Sequence, residues 1–104
     1  MGYSMTREPR TIPPGGDSTI TIEINDNLKP LKDIEVKFSV SPKEAGKIKP
    51  VKIKTDANGC AKSTFTADPN SKKDCDVIVN ASWKQDEVKK NCKMLIEIRK
   101  NAKI

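Results

Sequence analysis

Ser18-Thr19-Ile20-Thr21-Ile22-Glu23-Ile24 alternates without a break: the three isoleucines share one parity, while Thr19, Thr21 and Glu23 share the other. Successive side chains of a strand point to opposite faces, so this stretch predicts a strand buried on one face and wet on the other. The same pattern recurs further along the chain. Ile34, Val36, Phe38 and Val40 face one way and Glu35, Lys37 and Ser39 the other, until Pro42 ends the run. Cys60–Ala67 puts Ala61, Ser63, Phe65 and Ala67 on one face. Asp76–Lys84 does so with Val77, Val79, Ala81 and Trp83, opposite Asn80 and Ser82. Asn91–Arg99 sets Cys92, Met94, Ile96 and Ile98 against Lys93, Leu95, Glu97 and Arg99. Lys47–Thr55 is weaker: Val51, Ile53 and Thr55 alternate with Lys52 and Lys54, and Pro50 interrupts the register. Lysines and a proline are what an edge strand uses to refuse further pairing.

Turn signals separate these runs. Asp26-Asn27 with Pro30, Asp56-Ala57-Asn58-Gly59, Asp68-Pro69-Asn70-Ser71 and Gln85–Lys90 all punctuate, and Ser41–Gly46 leaves room for one short helical turn. The Asp56–Gly59 segment reads as a tight hairpin between Lys47–Thr55 and Cys60–Ala67. Asp56 would accept backbone N–H groups across it, and Gly59 would supply the positive φ. The first 17 residues read as loop, because Pro9, Pro13, Pro14 and Gly15-Gly16 crowd it; a short edge strand near Ile12 is the most it should hold. Six strands and a seventh short one, antiparallel and closely spaced, predict an all-β sandwich or small barrel.

Composition agrees. The chain has 104 residues, one domain's worth. Ile, Val and Thr number 11, 6 and 7, against 3 Leu, 3 Met and 6 Ala, a choice that suits pleated surface over helix. There is no histidine, which removes the commonest general base and metal ligand and every Ser-His or Cys-His nucleophile pair. No carboxylate pair, Gly-rich phosphate loop or CxxC is present, and Asp26, Asp33, Asp68, Asp74, Asp76 and Asp86 do not form a calcium loop. No enzyme activity, cofactor or metal is expected. Met1–Arg10 carries charge and no apolar core, so it is not read as a signal peptide, and no apolar run is long enough for a membrane helix.

Thr55-Asp56-Ala57-Asn58-Gly59-Cys60-Ala61, followed by an alternating strand, resembles the T-D-x-N-G-x-A hairpin of bacterial Ig-like group one domains, the invasin- and intimin-type repeats of surface adhesins. Gly16-Asp17-Ser18 is similar to the family's lead-in to its first long strand, Ile34-x-Val36-x-Phe38 to its V-x-F strand, and Val79-x-Ala81 to a later one. The chain departs from the pattern in lacking glycine between Asp26 and Lys32 and in carrying Ser71-Lys72-Lys73-Asp74 before the penultimate strand. The resemblance spans about residues 15–99. It implies an Ig-like antiparallel β-sandwich of six to seven strands over residues 15–104, with residues 1–14 as an N-terminal extension.

That resemblance implies a non-catalytic structural or adhesion module, a domain fragment of a larger cell-surface or secreted prokaryotic protein. It would act as an extracellular spacer or recognition unit. Its partners would be neighbouring domains of the parent chain and a surface receptor or glycan; the excised domain should be a monomer without membrane insertion. The alternative is a polyanion- or glycan-binding accessory domain. The net charge is +6, and Lys47, Lys49, Lys52 and Lys54 on one expected strand, with Lys62 on its hairpin partner, form a candidate contact face. Edge protection and solubility explain the same lysines. Nucleic acid is disfavoured, since arginine occurs only at Arg7, Arg10 and Arg99 and aromatics are 4% of residues. Trp83 reads as a core anchor by its parity, and Asn80-Ala81-Ser82 as a glycosylation sequon with Asn80 outward. Inward parity buries Cys75 and Cys92 and turns Cys60 out. In a hairpin centred near Asp86–Glu87, Cys75 falls across from about Ile98 and Cys92 from about Ala81, too far apart along the ladder to bond. Free thiols are expected, with a Cys60–Cys92 bridge as the minority alternative. Free thiols also support a third reading, an intracellular interaction module.

Overall fold

The computed structural model describes residues 2–26, 29–70, 74–85 and 87–100. In chain order the strands are β1 (Gly2–Glu8), β2 (Thr11–Ile12), β3 (Asp17–Asp26), β4 (Lys29–Pro30), β5 (Glu35–Ser41), β6 (Gly46–Lys49), β7 (Lys52–Lys54), β8 (Cys60–Ala67), β9 (Cys75–Gln85) and β10 (Val88–Ile98). A single 3-10 turn, Lys43–Ala45, fills the connection after Pro42. The first sheet has the order β1-β3-β8-β6, with β4 also beside β3; the second has the order β2-β10-β9-β5-β7. The fold is an all-β, Ig-like sandwich, and its pairings are antiparallel except β2 with β10.

The core is built by the expected parities. Ile20, Ile22, Ile24 and Phe65 from the first sheet meet Val36, Val77, Val79, Ile96 and Ile98 from the second, all without exposed surface. Trp83 is buried and packs edge-on against Tyr3, ring centroids 5.1 Å apart. The β9–β10 register sets Cys75 opposite Ile98 and Cys92 opposite Ala81, so these two thiols are separated along the ladder as expected. All three cysteines are free, and Cys75 and Cys92 are half-buried rather than buried.

Two expectations are corrected. The first 17 residues are not loop. Gly2–Glu8 pairs residue for residue with β3 from Asn25 to Thr19, and it buries Met5. Thr11–Ile12 does form a short edge strand, beside β10, with Ile12 in the core. The prolines mark a crossing between sheets: the chain leaves the first sheet after Glu8 and joins the second at Thr11. The second correction concerns Lys47–Thr55, which is not one strand. Its first half, β6, pairs with β8 (Ile48 opposite Phe65); its second half, β7, pairs with β5 (Ile53 opposite Val36). Pro50 is again the crossing point. Asn27, Ser71, Lys72, Lys73 and Asp86, assigned above to turns or scattered carboxylates, lie outside the described residues.

Each crossing is clasped by a serine from the core face. Ser18 on β3 donates its hydroxyl to the Pro9 carbonyl, and Ser63 on β8 donates to the Pro50 carbonyl, both at 2.7 Å. Both serines are buried, so the bonds satisfy hydroxyls that would otherwise be stranded among isoleucines. The outcome is a block of 44 × 22 × 17 Å. One end gathers Tyr3, Ile24, Gly59 and Trp83; the other gathers Glu8, Ile12, Ala67, Cys75 and Ile98. The first strand therefore starts at one end of the block and the last finishes at the opposite end.

Phe65→Ala should cost about 3–5 kcal/mol in chemical denaturation, since no neighbour can collapse into a site closed on both sides. Ser63→Ala should cost about 1 kcal/mol, the net worth of one hydrogen bond. Equal losses in the two variants would contradict this packing.

Candidate functional site

The Thr55–Cys60 segment forms a tight turn, but it is not a hairpin within one sheet. It carries the chain from β7 in the second sheet to β8 in the first. Asp56 organises it as expected: one carboxylate oxygen accepts the Asn58 N–H at 2.8 Å and the Cys60 N–H at 3.0 Å. The Asp56 N–H donates to the Cys60 carbonyl and the Gly59 N–H to the Asp56 carbonyl, each at 2.9 Å. These donors favour the charged carboxylate and hold its pKa below the ordinary 3.8. Gly59 has φ +77°, and a Cβ there would stand 2.5 Å from the Ile24 carbonyl oxygen. A side chain is thus excluded both by conformation and by the close approach to β3. Asn58 is exposed.

Thr55, whose hydroxyl the sequence reading left without a role, is the residue that locks this turn to the rest. It is buried; its hydroxyl donates to the Leu31 carbonyl at 2.5 Å and accepts the Ile34 N–H at 2.9 Å. Its backbone exchanges bonds with Asp33 and Ile34. The signal was a β-branched hydroxyl residue at an inward position just before a turn, where only a buried polar partner makes sense.

The lysines assigned to one face are divided by the crossing at Pro50. Lys47 and Lys49 on β6 and Lys62 on β8 lie on the outer side of the first sheet, whereas Lys52 and Lys54 lie on the outer side of the second. There Lys52 stands directly opposite Lys37, and Lys54 opposite Glu35. Two strands over, Lys84 stands opposite Lys89, and Lys93 opposite Asn80. Lys37, Lys84 and Lys93 were legible as outward, Lys89 was assigned to the turn, and which strands adjoin was not legible. At the other end of the same face the charges are mixed and paired. Arg99 binds Asp76 at 2.8 Å and Glu97 at 3.2 Å, and Arg10 approaches Glu97 at 3.6 Å. The Asp76 bond comes first among the causes that raise the Arg99 pKa. Asp74 accepts the Lys100 N–H. Among the described residues no three metal-ligating side chains come together.

Two of the three thiols, Cys60 and Cys92, are not poised for chemistry. Burial foremost, then the carboxylates of Asp56 and Glu23, push the Cys60 thiol up, and burial does the same at Cys92. Both stay protonated near neutral pH and are poor nucleophiles.

No protein-family profile matches the chain, and no curated protein sequence matches it. Solved structures do. The D0-D1 domain of intimin superposes with TM-score 0.72 at 24% identity, over 91% of this chain and 46% of that one. The C-terminal 282-residue fragment of intimin, in complex with the intimin-binding domain of the translocated intimin receptor, gives 0.75 at 24% identity, over 94% and 33%. The periplasmic chaperone SfaE gives 0.73 at 11% identity, over 97% and 58%. The chain spans about half or less of the two intimin structures. The shared property is the Ig-like fold, in the form found in intimin's domains.

Thr55→Val should destabilise by about 1–3 kcal/mol, because the Leu31 carbonyl and Ile34 N–H lose their partner inside the fold. Asp56→Ala should lower the thermal midpoint at pH 7. A carboxylate with a depressed folded pKa stabilises above its unfolded pKa and loses that contribution as pH falls through the folded value. The gap between Asp56→Ala and the parent should therefore close below pH 3.8 and be constant from pH 6 to 8; a gap that widened in acid would contradict the assignment.

Proposed function

We propose that this sandwich is a non-catalytic structural or adhesion module of a larger cell-surface or secreted prokaryotic protein, acting as a spacer or recognition unit. The observation that carries the reading is the path of the chain. β1 begins at the Tyr3–Trp83 end of a 44 Å block, and β10 finishes at the Cys75–Ile12 end. A chain continuing from both strands would leave in opposite directions, so successive modules would stack end to end and add length. The likeness to intimin supports the same reading, since this fold superposes on part of each of three larger structures of that protein. Recognition would then fall to loops at one end or to a sheet face, and neighbouring domains would be the principal partners. The block itself would sit outside the cell as part of the parent protein.

Two copies of the chain joined through a short linker and measured by small-angle scattering test this. The expected maximum dimension is close to twice the 44 Å long axis, with a profile of a rod and a single copy that stays monomeric. A tandem protein no longer than a single copy, with modules folded side by side, would overturn the spacer reading.

A further inference from the structure

The outer face of the second sheet carries an electrostatic arrangement that its own residues do not resolve. Lys37 and Lys52 stand directly opposite each other on β5 and β7, and Lys84 and Lys89 do the same on β9 and β10. Directly opposed side chains in a sheet have Cβ atoms about 5 Å apart, and like charges there destabilise the pairing. Lys54 and Lys93 extend the set at its margins. Among the described residues, none of these six lysines forms an ion pair. Of the acidic residues on this face, Glu35 stands opposite Lys54 without an ion pair among the described residues, and Asp76 and Glu97 are held by Arg99 at the far end. The charge is thus segregated: a basic half beside the Thr55 turn, and a neutralised half beyond Ile78 and Leu95.

The basic half is also concave. The ladder between β5 and β9 ends at Lys37 opposite Ser82. Beyond that pair the strands part around a groove lined by Glu35, Lys37, Ser82, Trp83, Lys84 and Lys89. Trp83 borders the groove, but its ring is turned to the inner face, where it is buried against Tyr3.

We propose that this groove and its lysines bind an acidic polysaccharide. Lysines supply point charges for carboxylate or sulfate groups. Glu35, Ser82 and Asn91, interleaved among them, supply acceptors and donors for sugar hydroxyls, which a bare polyphosphate would not use. Base recognition lacks its usual tools in this groove: Arg10 and Arg99 are engaged with Glu97 and Asp76 at the far end of the face, and Arg7 and the exposed ring of Tyr3 belong to the other sheet. The site differs from the lysine set legible in the sequence, of which only Lys52 and Lys54 belong to it. It is also independent of the spacer reading, which leaves this face empty.

Heparin and polygalacturonate serve as probes, with neutral dextran and a single-stranded DNA oligomer for comparison, titrated against the full chain. Both acidic glycans should bind at low salt, dextran should not, and affinity should fall by about tenfold or more between roughly 50 and 200 mM salt. The double variant Lys37→Glu with Lys89→Glu should lose at least about tenfold. Lys47→Glu with Lys62→Glu, an equal change of charge on the opposite sheet, should stay within about twofold. If the first variant fails to melt cooperatively, Lys37→Gln with Lys89→Gln carries the same expectation. Absence of binding at low salt, equal loss in both double variants, or tighter binding of DNA than of either glycan would overturn the proposal.

Discussion

Two serine hydroxyls inside the core hold the architecture together at its sides. A sandwich of two open sheets has four exposed edges, each a template for unwanted pairing. Here the chain deals with two corners by crossing between sheets, at Pro9 and at Pro50. Proline suits the crossing because it has no ladder donor to leave unpaired. A crossing strand must still be fixed where it leaves one ladder and before it enters the next, and Ser18 and Ser63 do this from the neighbouring core strands. Small side chains are required there, since a bulkier inward residue would fill the space through which the crossing chain passes. The consequence is that each side of the block is closed by one continuous segment shared between the sheets.

The same crossings decide which surface residues meet. Because β7 belongs to the second sheet, Lys52 meets Lys37 and not a residue of β8. Because β2 belongs to the second sheet, Thr11 and Arg10 reach Glu97, completing the paired cluster that holds Asp76 and Arg99. The Thr55 node lies where the second crossing segment returns to the first sheet. Its buried hydroxyl ties the turn to the Leu31–Ile34 connection, and the Asp56 carboxylate shapes the turn beyond it.

What the sequence made legible was local. Alternation placed Ile20, Val36, Phe65 and Val79 in one interior, because a period of two survives any choice of neighbouring strand. The hairpin centre near Glu87 was enough to set Cys92 across from Ala81. Asp56 and Gly59 announced their turn because their chemistry is specific to it. What stayed hidden was long-range. β1 was masked by the prolines that follow it: Tyr3, Met5 and Arg7 alternate with Ser4 and Thr6, yet one buried Met and a half-buried Arg make a faint inward face. Pro50 was visible as an interruption, but nothing local distinguishes a kinked edge strand from one that changes sheets. The lysine face followed from that same unknown, since its lysines come from four strands whose adjacency only the fold supplies.

The claim on which this account turns is the change of sheet at the two prolines, and cross-strand nuclear Overhauser contacts in the labelled protein read it directly. Backbone contacts of Ile53 with Val36, of Ile48 with Phe65, and of Ile12 with Ile98 are expected together. Contacts placing Ile53 alongside Lys62, as an uninterrupted hairpin would require, with none to Val36, would contradict it.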